Sequence, residues 1–355
     1  MTIKREDFIS QIKILSNLFN PLQIFEQSTV FTVIKNASDM VFKYFDGTTY
    51  AEVSIPNSDQ VNQGTQLNIE GKNFLTLLNK LTSENIDIII NPTEFILQTG
   101  NNKYSFPNQE IKEYQDNPYT NTAFSKNFTI DKDTISNIVK YNTNALSIDP
   151  QQKEKNQYLI TQNECIATNY VIISFYNKQF PEQLLLNSIV IKSISGLGDC
   201  KVEVSSNNDF IKFTCNNTLV FVPYIEITPQ GFEVDSIVPL KSQAYPDTIK
   251  INKEELLSSM DRLMIFNGDN KSLIFNFNGD KLQITDVNNH NYEDITYLDN
   301  TKSNSNYKYY INYLNLYKEC STLNDKDLEF SIGNDNFICI KTADVVKVIA
   351  LSYED

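Results

Sequence analysis

The sequence predicts an α+β protein of three tandem domains, each with two helices packed on antiparallel sheets. One observation behind this prediction is an opening pattern of a short strand, a turn and the start of an amphipathic helix, which occurs three times. The other is a later pattern of a helix, a hairpin and a closing strand, which also occurs three times. The copies lie about 120 residues apart, which is the size of one small domain.

The opening pattern begins each copy with a short strand and continues as a helix with one apolar face. Its copies lie at residues 2–8, 128–135 and 249–256. Acidic residues in each first turn favour a helix start because they complement the positive end of the helix dipole. Apolar residues at three- and four-residue steps form the faces predicted to be buried. These are Phe8, Ile12, Leu15 and Phe19; Ile135, Ile138 and Val139; and Leu256, Met260, Leu263 and Met264.

The later pattern predicts a helix, two hairpin strands and a closing strand in each copy. It covers residues 71–106, 188–222 and 311–349. Polar turns at 205–209 and 333–336 separate strands that alternate or run apolar. Polar stretches with a proline, Pro118 and Pro246, separate the copies. The predicted domains are therefore 1–121, 122–245 and 246–355.

The composition restricts how this chain could act on nucleic acid. It has 355 residues, 41% of them hydrophobic, and a net charge of −14 from 44 acidic and 30 basic residues. A surface this acidic repels nucleic acid as a whole. A role on DNA therefore needs a local basic surface, or a topology that requires little affinity.

The sequence predicts neither an enzyme nor a metal protein. Five scattered cysteines and a single histidine, His290, offer no zinc spacing, and the cysteines are expected to be reduced thiols. No Walker loop or nucleophile–base pair occurs, and Gly196-Leu197-Gly198 lacks a third glycine in register. We therefore expect no cofactor. Because neither a signal peptide nor a membrane-spanning stretch is found, we also expect a cytoplasmic protein.

Four stretches, in their order and spacing, resemble the beta subunit of bacterial DNA polymerase III, the beta sliding clamp. They are residues 46–53, 69–74, 165–169 and 281–285. The resemblance covers essentially the whole chain and implies a non-enzymatic processivity factor. Such a homodimer closes as a six-domain ring, encircles duplex DNA without sequence preference and tethers the polymerase and the clamp loader. The divergence from the family suggests a phage-encoded or remote member, which would act in the host cytoplasm if it is phage-encoded.

The resemblance also implies that the helices line the hole of the ring, where basic residues would contact phosphates. Lysine suits sliding because it is a mobile point charge rather than a fork that fixes one phosphate pair. An ordinary solvated helix face is the competing interpretation, since Glu6 and Asp133 lie on the same helices. The predicted DNA-facing residues are Lys4, Arg5, Lys13, Lys72, Lys80, Lys132, Lys140, Lys192, Lys253, Arg262 and Lys318.

A groove for a partner peptide with an apolar end is implied between the second and third domains. Residues 170–172 read Tyr-Val-Ile where the family has Gly-His-Arg, and residues 348–355 replace its usual tail. The peptide preference of the groove is therefore open. The candidate groove residues are Thr168, Ile172, Pro239, Leu240, Val348, Ala350 and Leu351.

Two alternatives remain open at this point. A structural, virion-type repeat protein would explain the acidity and the missing catalytic residues, but not the lysine-bearing helices in every copy. A clamp-fold binding module that does not encircle DNA would fit the altered groove and tail. Retention on circular DNA distinguishes both from a clamp.

Overall fold

The computed structural model describes residues 1–19, 29–56, 64–110, 116–197, 201–288 and 290–352, without the side chains of residues 229 and 230. In these ranges the order β-α-β-β-β-β-α-β-β-β occurs three times. The predicted α+β class, with two long helices in each copy, is confirmed. In the described residues, no helix is long and apolar enough to cross a membrane.

The elements of the three copies correspond one to one. The first contains β1 (Thr2–Lys4), α1 (Arg5–Leu18), β2 (Val30–Lys35), β3 (Asp39–Phe45), β4 (Tyr50–Pro56), β5 (Thr65–Glu70), α2 (Gly71–Lys80), β6 (Asn85–Ile90), β7 (Glu94–Thr99) and β8 (Asn102–Pro107). The second contains β9 (Lys126–Ile130), α3 (Lys132–Asn142), a 3₁₀ turn (Thr143–Ala145), β10 (Tyr158–Ile160), β11 (Glu164–Thr168), β12 (Ile172–Asn177), β13 (Leu184–Leu186), α4 (Ser188–Ser195), β14 (Val202–Ser206), β15 (Phe210–Cys215) and β16 (Thr218–Pro223). Two short helices, α5 (Pro229–Phe232) and α6 (Val234–Ile237), and a 3₁₀ turn (Val238–Lys241) lead to the third. The third contains β17 (Asp247–Asn252), α7 (Lys253–Met264), β18 (Ser272–Gly279), β19 (Lys281–Thr285), β20 (Tyr292–Thr296), β21 (Ser303–Asn312), α8 (Tyr313–Thr322), β22 (Asp327–Ile332), β23 (Phe337–Lys341) and β24 (Val345–Ala350).

The strands form two eight-stranded and two four-stranded antiparallel sheets. The eight-stranded sheets have the orders β5-β2-β3-β4-β16-β15-β14-β9 and β13-β10-β11-β12-β24-β23-β22-β17. The four-stranded sheets have the orders β1-β6-β7-β8 and β20-β19-β18-β21. Each eight-stranded sheet therefore joins half of one copy to half of the next.

The chain divides into two compact units that follow these sheets. The first unit contains Met1–Ile135 and Asn187–Tyr224, and the second contains Ser136–Leu186 and Ile225–Asp355. Each unit combines one whole copy with half of the middle copy. The three domain ranges predicted from the sequence correspond to the three copies of the repeat. That each range is a separate domain stays a prediction.

The side chain of the last residue of a strand caps three of the six long helices in the described part of the chain. Glu70, the last residue of β5, accepts hydrogen bonds from the backbone N–H groups of Lys72 and Asn73. Asn252 and Asn312 occupy the same place before α7 and α8. These caps satisfy N–H groups that a helix cannot pair internally, so strand and helix meet without a loop.

Each unit has its own apolar core. In the first unit, the ring of Phe74 on α2 lies among the rings of five other phenylalanines. In the second unit, β10, β11, β12 and β24 bury a cluster that includes Leu159, Ile166, Phe175 and Val348. The first core contains Phe8 of α1 and Phe74 of α2, whereas the second contains Phe232 of α5 and Ile237 of α6.

The sequence predicts that all five cysteines are reduced thiols, and one described cysteine does not fit this prediction. Cys165, Cys320 and Cys339 are free and buried, as expected. Cys215, however, is disulfide-bonded, so the expectation is wrong at that residue. Cys200 lies outside the described residues. Burial raises the pKa of the Cys339 thiol to about 11, which keeps it protonated and unreactive at neutral pH.

Candidate nucleic-acid interface and partner groove

Four of the lysines predicted to face DNA lie in the first unit, on α1, on α2 and at the end of β1. Lys4, Lys13, Lys72 and Lys80 are all exposed there. Helix α1 packs against α4, where the Asn17 amide donates a hydrogen bond of 2.7 Å to the Ser193 hydroxyl. Among described residues, no ion pair involves the four lysines.

A shallow depression of about 520 Å³ lies among α1, α2 and the end of α4. Arg5 and Lys13 line it, together with apolar residues such as Ile12 and Leu78. The guanidinium of Arg5 also donates to the Leu81 carbonyl at 2.6 Å. Arg5 and Lys13 lie on the same helix, about two turns apart along one side of this depression.

Helix α7 differs because its two basic residues are already engaged. Lys253 Nζ donates to the Leu323 carbonyl at 2.8 Å. Arg262 forms a two-point ion pair with Glu293 on β20, with Nε 2.6 Å from Oε1. Hydrogen bonding from Arg262 lowers the pKa of Glu293 below its usual range. Because Glu254 and Glu255 are exposed on the same helix, α7 presents carboxylates rather than free cations.

The other predicted DNA-facing residues vary in their surroundings. Lys140 Nζ donates to Asn324 Oδ1. Lys192 on α4 is half-buried, and this burial lowers the pKa of its ammonium. Lys318 on α8 is exposed, and Lys132 on α3 is partly exposed. The residues predicted to face DNA therefore fall into two groups. Some are exposed lysines, and others are basic residues that form contacts within the protein.

The second unit contains a cavity of about 230 Å³, here called the groove cavity. It lies between the turn after β11, the short helix α6 with its following 3₁₀ turn, and the strands β12 and β24. Of the seven residues predicted for a groove, four line it: Thr168, Leu240, Val348 and Ala350.

Ile172, Pro239 and Leu351 do not line the groove cavity. Ile173 pairs with Val348 across β12 and β24, and both side chains face the cavity. Ile172 pairs with Ile349, so its side chain lies on the opposite face of the sheet. On β12 the groove cavity is thus lined by Ile173, the residue next to the predicted Ile172.

Seven further residues line the groove cavity and were not predicted. They are Tyr170, Val171, Ile173, Glu233, Ser236, Ile237 and Phe337. Alternation along β12 could have identified Ile173. Tyr170 and Glu233 could not have been found in this way, because both have left-handed backbones, with φ of 70° and 53°.

A polar network forms one rim of the groove cavity. The Tyr170 hydroxyl donates to Glu233 Oε1 at 3.0 Å. The Lys155 ammonium lies 3.4 Å from the centroid of the Tyr170 ring, which is a close cation–π contact. Burial lowers the pKa of Lys155, and the negative charges of Glu233 and Glu154 partly oppose this effect.

Each four-stranded sheet has an outer strand that follows a hairpin and, among the described residues, is paired on one side only. These strands are β8 in the first unit and β20 in the second. Their counterparts are paired, since β16 joins β4 and β24 joins β12. At the C-terminal end of α7, the helix that contacts β20, the apolar side chains of Ile265 and Phe266 are 77% and 56% exposed. A bare edge strand beside exposed apolar residues is typical of an interface.

No protein family model and no curated protein matches this chain. Solved structures do match it over its whole length. The DNA polymerase III beta subunit of Thermotoga maritima has a TM-score of 0.83 at 11% identity, covering 100% of this chain and 99% of that one. The DNA polymerase sliding clamp of Bacillus subtilis has a TM-score of 0.80 at 15% identity, with coverage of 100% and 99%. A putative DNA polymerase III beta subunit of Eubacterium rectale has a TM-score of 0.80 at 16% identity, covering 99% of both chains.

The chain therefore has the fold of a DNA sliding clamp. The particular form of that fold is the one found in the bacterial DNA polymerase III beta subunit, and the chain is about the length of one such subunit. The resemblance read from the sequence is confirmed for the fold.

Proposed function

We propose that this protein is a non-enzymatic sliding clamp that closes as a homodimeric ring around duplex DNA. The observation that carries the proposal is the pair of open edges, β8 and β20. If β20 of one copy paired with β8 of a second copy, each four-stranded sheet would become half of an eight-stranded one. Two such pairings would leave no open edge at these strands and would close the assembly.

The register of this pairing follows from the chain's own repeats. Thr218 lies opposite Val53 in one eight-stranded sheet, and Val345 lies opposite Tyr176 in the other. The β7–β8 hairpin has the same register as the β15–β16 and β23–β24 hairpins. The strands β16 and β24 are the counterparts of β8 in the other copies, so each residue of β8 takes the place of a known residue in them. In the same way, β4 and β12 are the counterparts of β20 and give the place of each residue in β20.

By this count, Asn102 lies opposite Ile295 of the second copy. Lys103 then lies opposite Asp294, and Tyr104 lies opposite Glu293. An opposite-charge pair directly across two strands is favourable, and a lysine facing an aspartate fits that rule. Within one copy Lys103 already pairs with Glu94 at 3.5 Å and Asp294 with Lys281 at 2.6 Å, so the new contact would join two existing ion pairs.

A ring reconciles the net charge of −14 with a role on DNA. Retention by topology needs little affinity, and exposed lysines on α1, α2 and α8 would give weak, mobile phosphate contacts. The acidic remainder of the surface would limit contact with neighbouring DNA. Such a protein works in the cytoplasm, or in the host cytoplasm if the chain is phage-encoded.

The groove cavity would tether partners to the ring. Its floor is apolar, with Ile173, Ile237 and Val348 nearly buried. A short peptide with an apolar end fits a cavity of this kind. We propose that the replicative polymerase and the clamp loader bind there through such peptides.

Cysteines at Tyr104 and Glu293 test the ring. In the proposed register these positions form a pair without hydrogen bonds between them, where side chains approach most closely. The variant carrying Tyr104→Cys and Glu293→Cys should give one covalent dimer band on a non-reducing gel after mild oxidation. The matched control carries Lys103→Cys and Glu293→Cys, which would lie on opposite faces of the sheet and should remain monomeric on that gel.

Other outcomes would count against the ring. A ladder of higher oligomers would mean that the edges pair without closing. Equal cross-linking of both variants would contradict the register. Compact monomers in sedimentation at all concentrations would remove the ring and favour the clamp-fold binding module.

A further inference from the structure

We propose that Glu233 makes the groove cavity select peptides with a lysine or arginine beside their apolar anchor. The inference rests on the proposed function of that cavity as a partner groove. Glu233 is the one charged residue among the described side chains that line it. No lysine or arginine in the described part of the chain joins that lining.

The carboxylate of Glu233 is held in a fixed position. Its backbone is left-handed, with φ of 53°, and its carbonyl accepts from the N–H groups of Ser236 and Ile237 in α6. Its Oε1 accepts the Tyr170 hydroxyl at 3.0 Å. Tyr170 is fixed in turn by the Lys155 ammonium against its ring. A carboxylate held by such contacts loses little freedom when a ligand binds.

The second oxygen of Glu233 is available to a ligand. Within the described residues, Oε2 receives no hydrogen bond, and an ionised carboxylate can accept several. A cationic side chain would supply the missing donor, and charge-assisted hydrogen bonds are stronger than neutral ones.

The local charges leave this rim negative. Lys155 is the nearby cation, and it is shared between Glu233 and Glu154. Glu154 also accepts from the backbone N–H and the hydroxyl of Thr228, at 3.1 and 2.8 Å. Two carboxylates and one ammonium carry a net charge of −1, and the exposed Asp235 adds a further negative charge. An acidic peptide would therefore meet repulsion at the place where a basic one gains an ion pair.

The apolar floor defines the rest of the ligand. Ile173, Ile237, Leu240 and Val348 offer contacts to an apolar side chain but no charge. The partner is therefore a peptide with an apolar end and a cation close to it, rather than a purely apolar or an acidic one.

Fluorescence anisotropy with three labelled hexapeptides tests the inference. All three would end in two leucines and differ only in carrying lysine, glutamine or glutamate next to them. At low salt the wild-type protein should bind the lysine peptide about three to ten times more tightly than the glutamine peptide, and the glutamate peptide least. The preference should shrink as salt rises, because an exposed ion pair is screened.

Three variants locate the effect. Glu233→Gln should remove the lysine preference, so that the variant binds the lysine and glutamine peptides about equally. Asp235→Asn is the matched control, because Asp235 is exposed on the same helix but does not line the cavity, and it should keep most of the preference. Ala350→Trp should fill the cavity and weaken all three peptides at least tenfold.

The outcomes distinguish the inference from the function it rests on. If the peptides bind and Ala350→Trp blocks them, the groove assignment is supported. If the wild type and Glu233→Gln then show the same preference among the three peptides, the proposed role of Glu233 is overturned. If no peptide binds, or if Ala350→Trp has no effect, the groove assignment fails and the inference fails with it.

Discussion

Replacing Glu319 by leucine is expected to lower the free energy of unfolding by about 3–5 kcal/mol, because it leaves a buried charge without its partner. Glu319 on α8 and Lys347 on β24 are both fully buried, and Oε2 lies 2.6 Å from Nζ. Lys347 also donates to the Tyr141 carbonyl and, at 2.8 Å, to the Ser174 hydroxyl. The pair thus connects a long helix to the strand that carries Val348 of the groove cavity.

The double variant Glu319→Leu with Lys347→Met is the matched control for this prediction. Replacing both members of a buried ion pair by apolar groups is often close to neutral. We therefore expect the double variant to regain most of the stability in urea unfolding. Equal destabilisation of the single and double variants would contradict the assignment and point to packing instead.

The pH dependence of the single variant gives an independent readout. Burial lowers the pKa of Lys347, and removing Glu319 takes away the charge that opposes this effect. Between the lowered pKa and the ordinary lysine value, the unfolded state then binds more protons than the folded state. Stability should therefore rise as the pH is raised towards the ordinary lysine pKa and fall as the pH is lowered from there. The double variant lacks the ammonium and should show no such slope.

Replacing Phe74 by alanine is expected to cost about 3–5 kcal/mol in the first unit, because it empties the centre of an aromatic cluster. The Phe74 ring centroid lies 5.6 Å from those of Phe95 and Phe106 and 5.9 Å from that of Phe42. Phe74 anchors α2, which carries Lys72 and Lys80, so weaker packing would also displace two proposed phosphate contacts. The measurement is the urea midpoint of the variant.

Phe266→Ala provides the control for Phe74→Ala. Phe266 is more than half exposed, so its removal should leave the urea midpoint of the monomer nearly unchanged. A loss as large as that of Phe74→Ala would mean that the aromatic cluster is not the source of the stability.

The sequence was informative wherever a local pattern determines structure. Helix periodicity located α1 and α7 closely because a single apolar face must be buried. The hairpins followed from polar turns between apolar strands. The pairings of β4 with β16 and of β12 with β24 could not be predicted from such patterns, because they join distant parts of the chain. For that reason the compact units follow the sheets rather than the repeats.

The candidate sites were predicted less completely, for two physical reasons. Strand alternation fixes which residues face a cavity, and a shift of one position exchanged Ile173 for Ile172. Other contacts depend on partners far apart in sequence, such as Tyr170 with Glu233 and Arg262 with Glu293. No local pattern distinguishes a lysine that faces solvent from one, like Lys347, that is buried in an ion pair.

Topological retention on DNA is the most direct test of the central claim. The variant with Tyr104→Cys and Glu293→Cys would be mixed with nicked circular DNA, oxidised to close the ring, and washed in high salt to remove phosphate-bound protein. We expect covalent dimers to remain on the circles and to be lost when a restriction enzyme linearises the DNA. Protein that persists on linear DNA, or that never resists the salt wash on circles, would contradict the proposal that this chain encircles DNA.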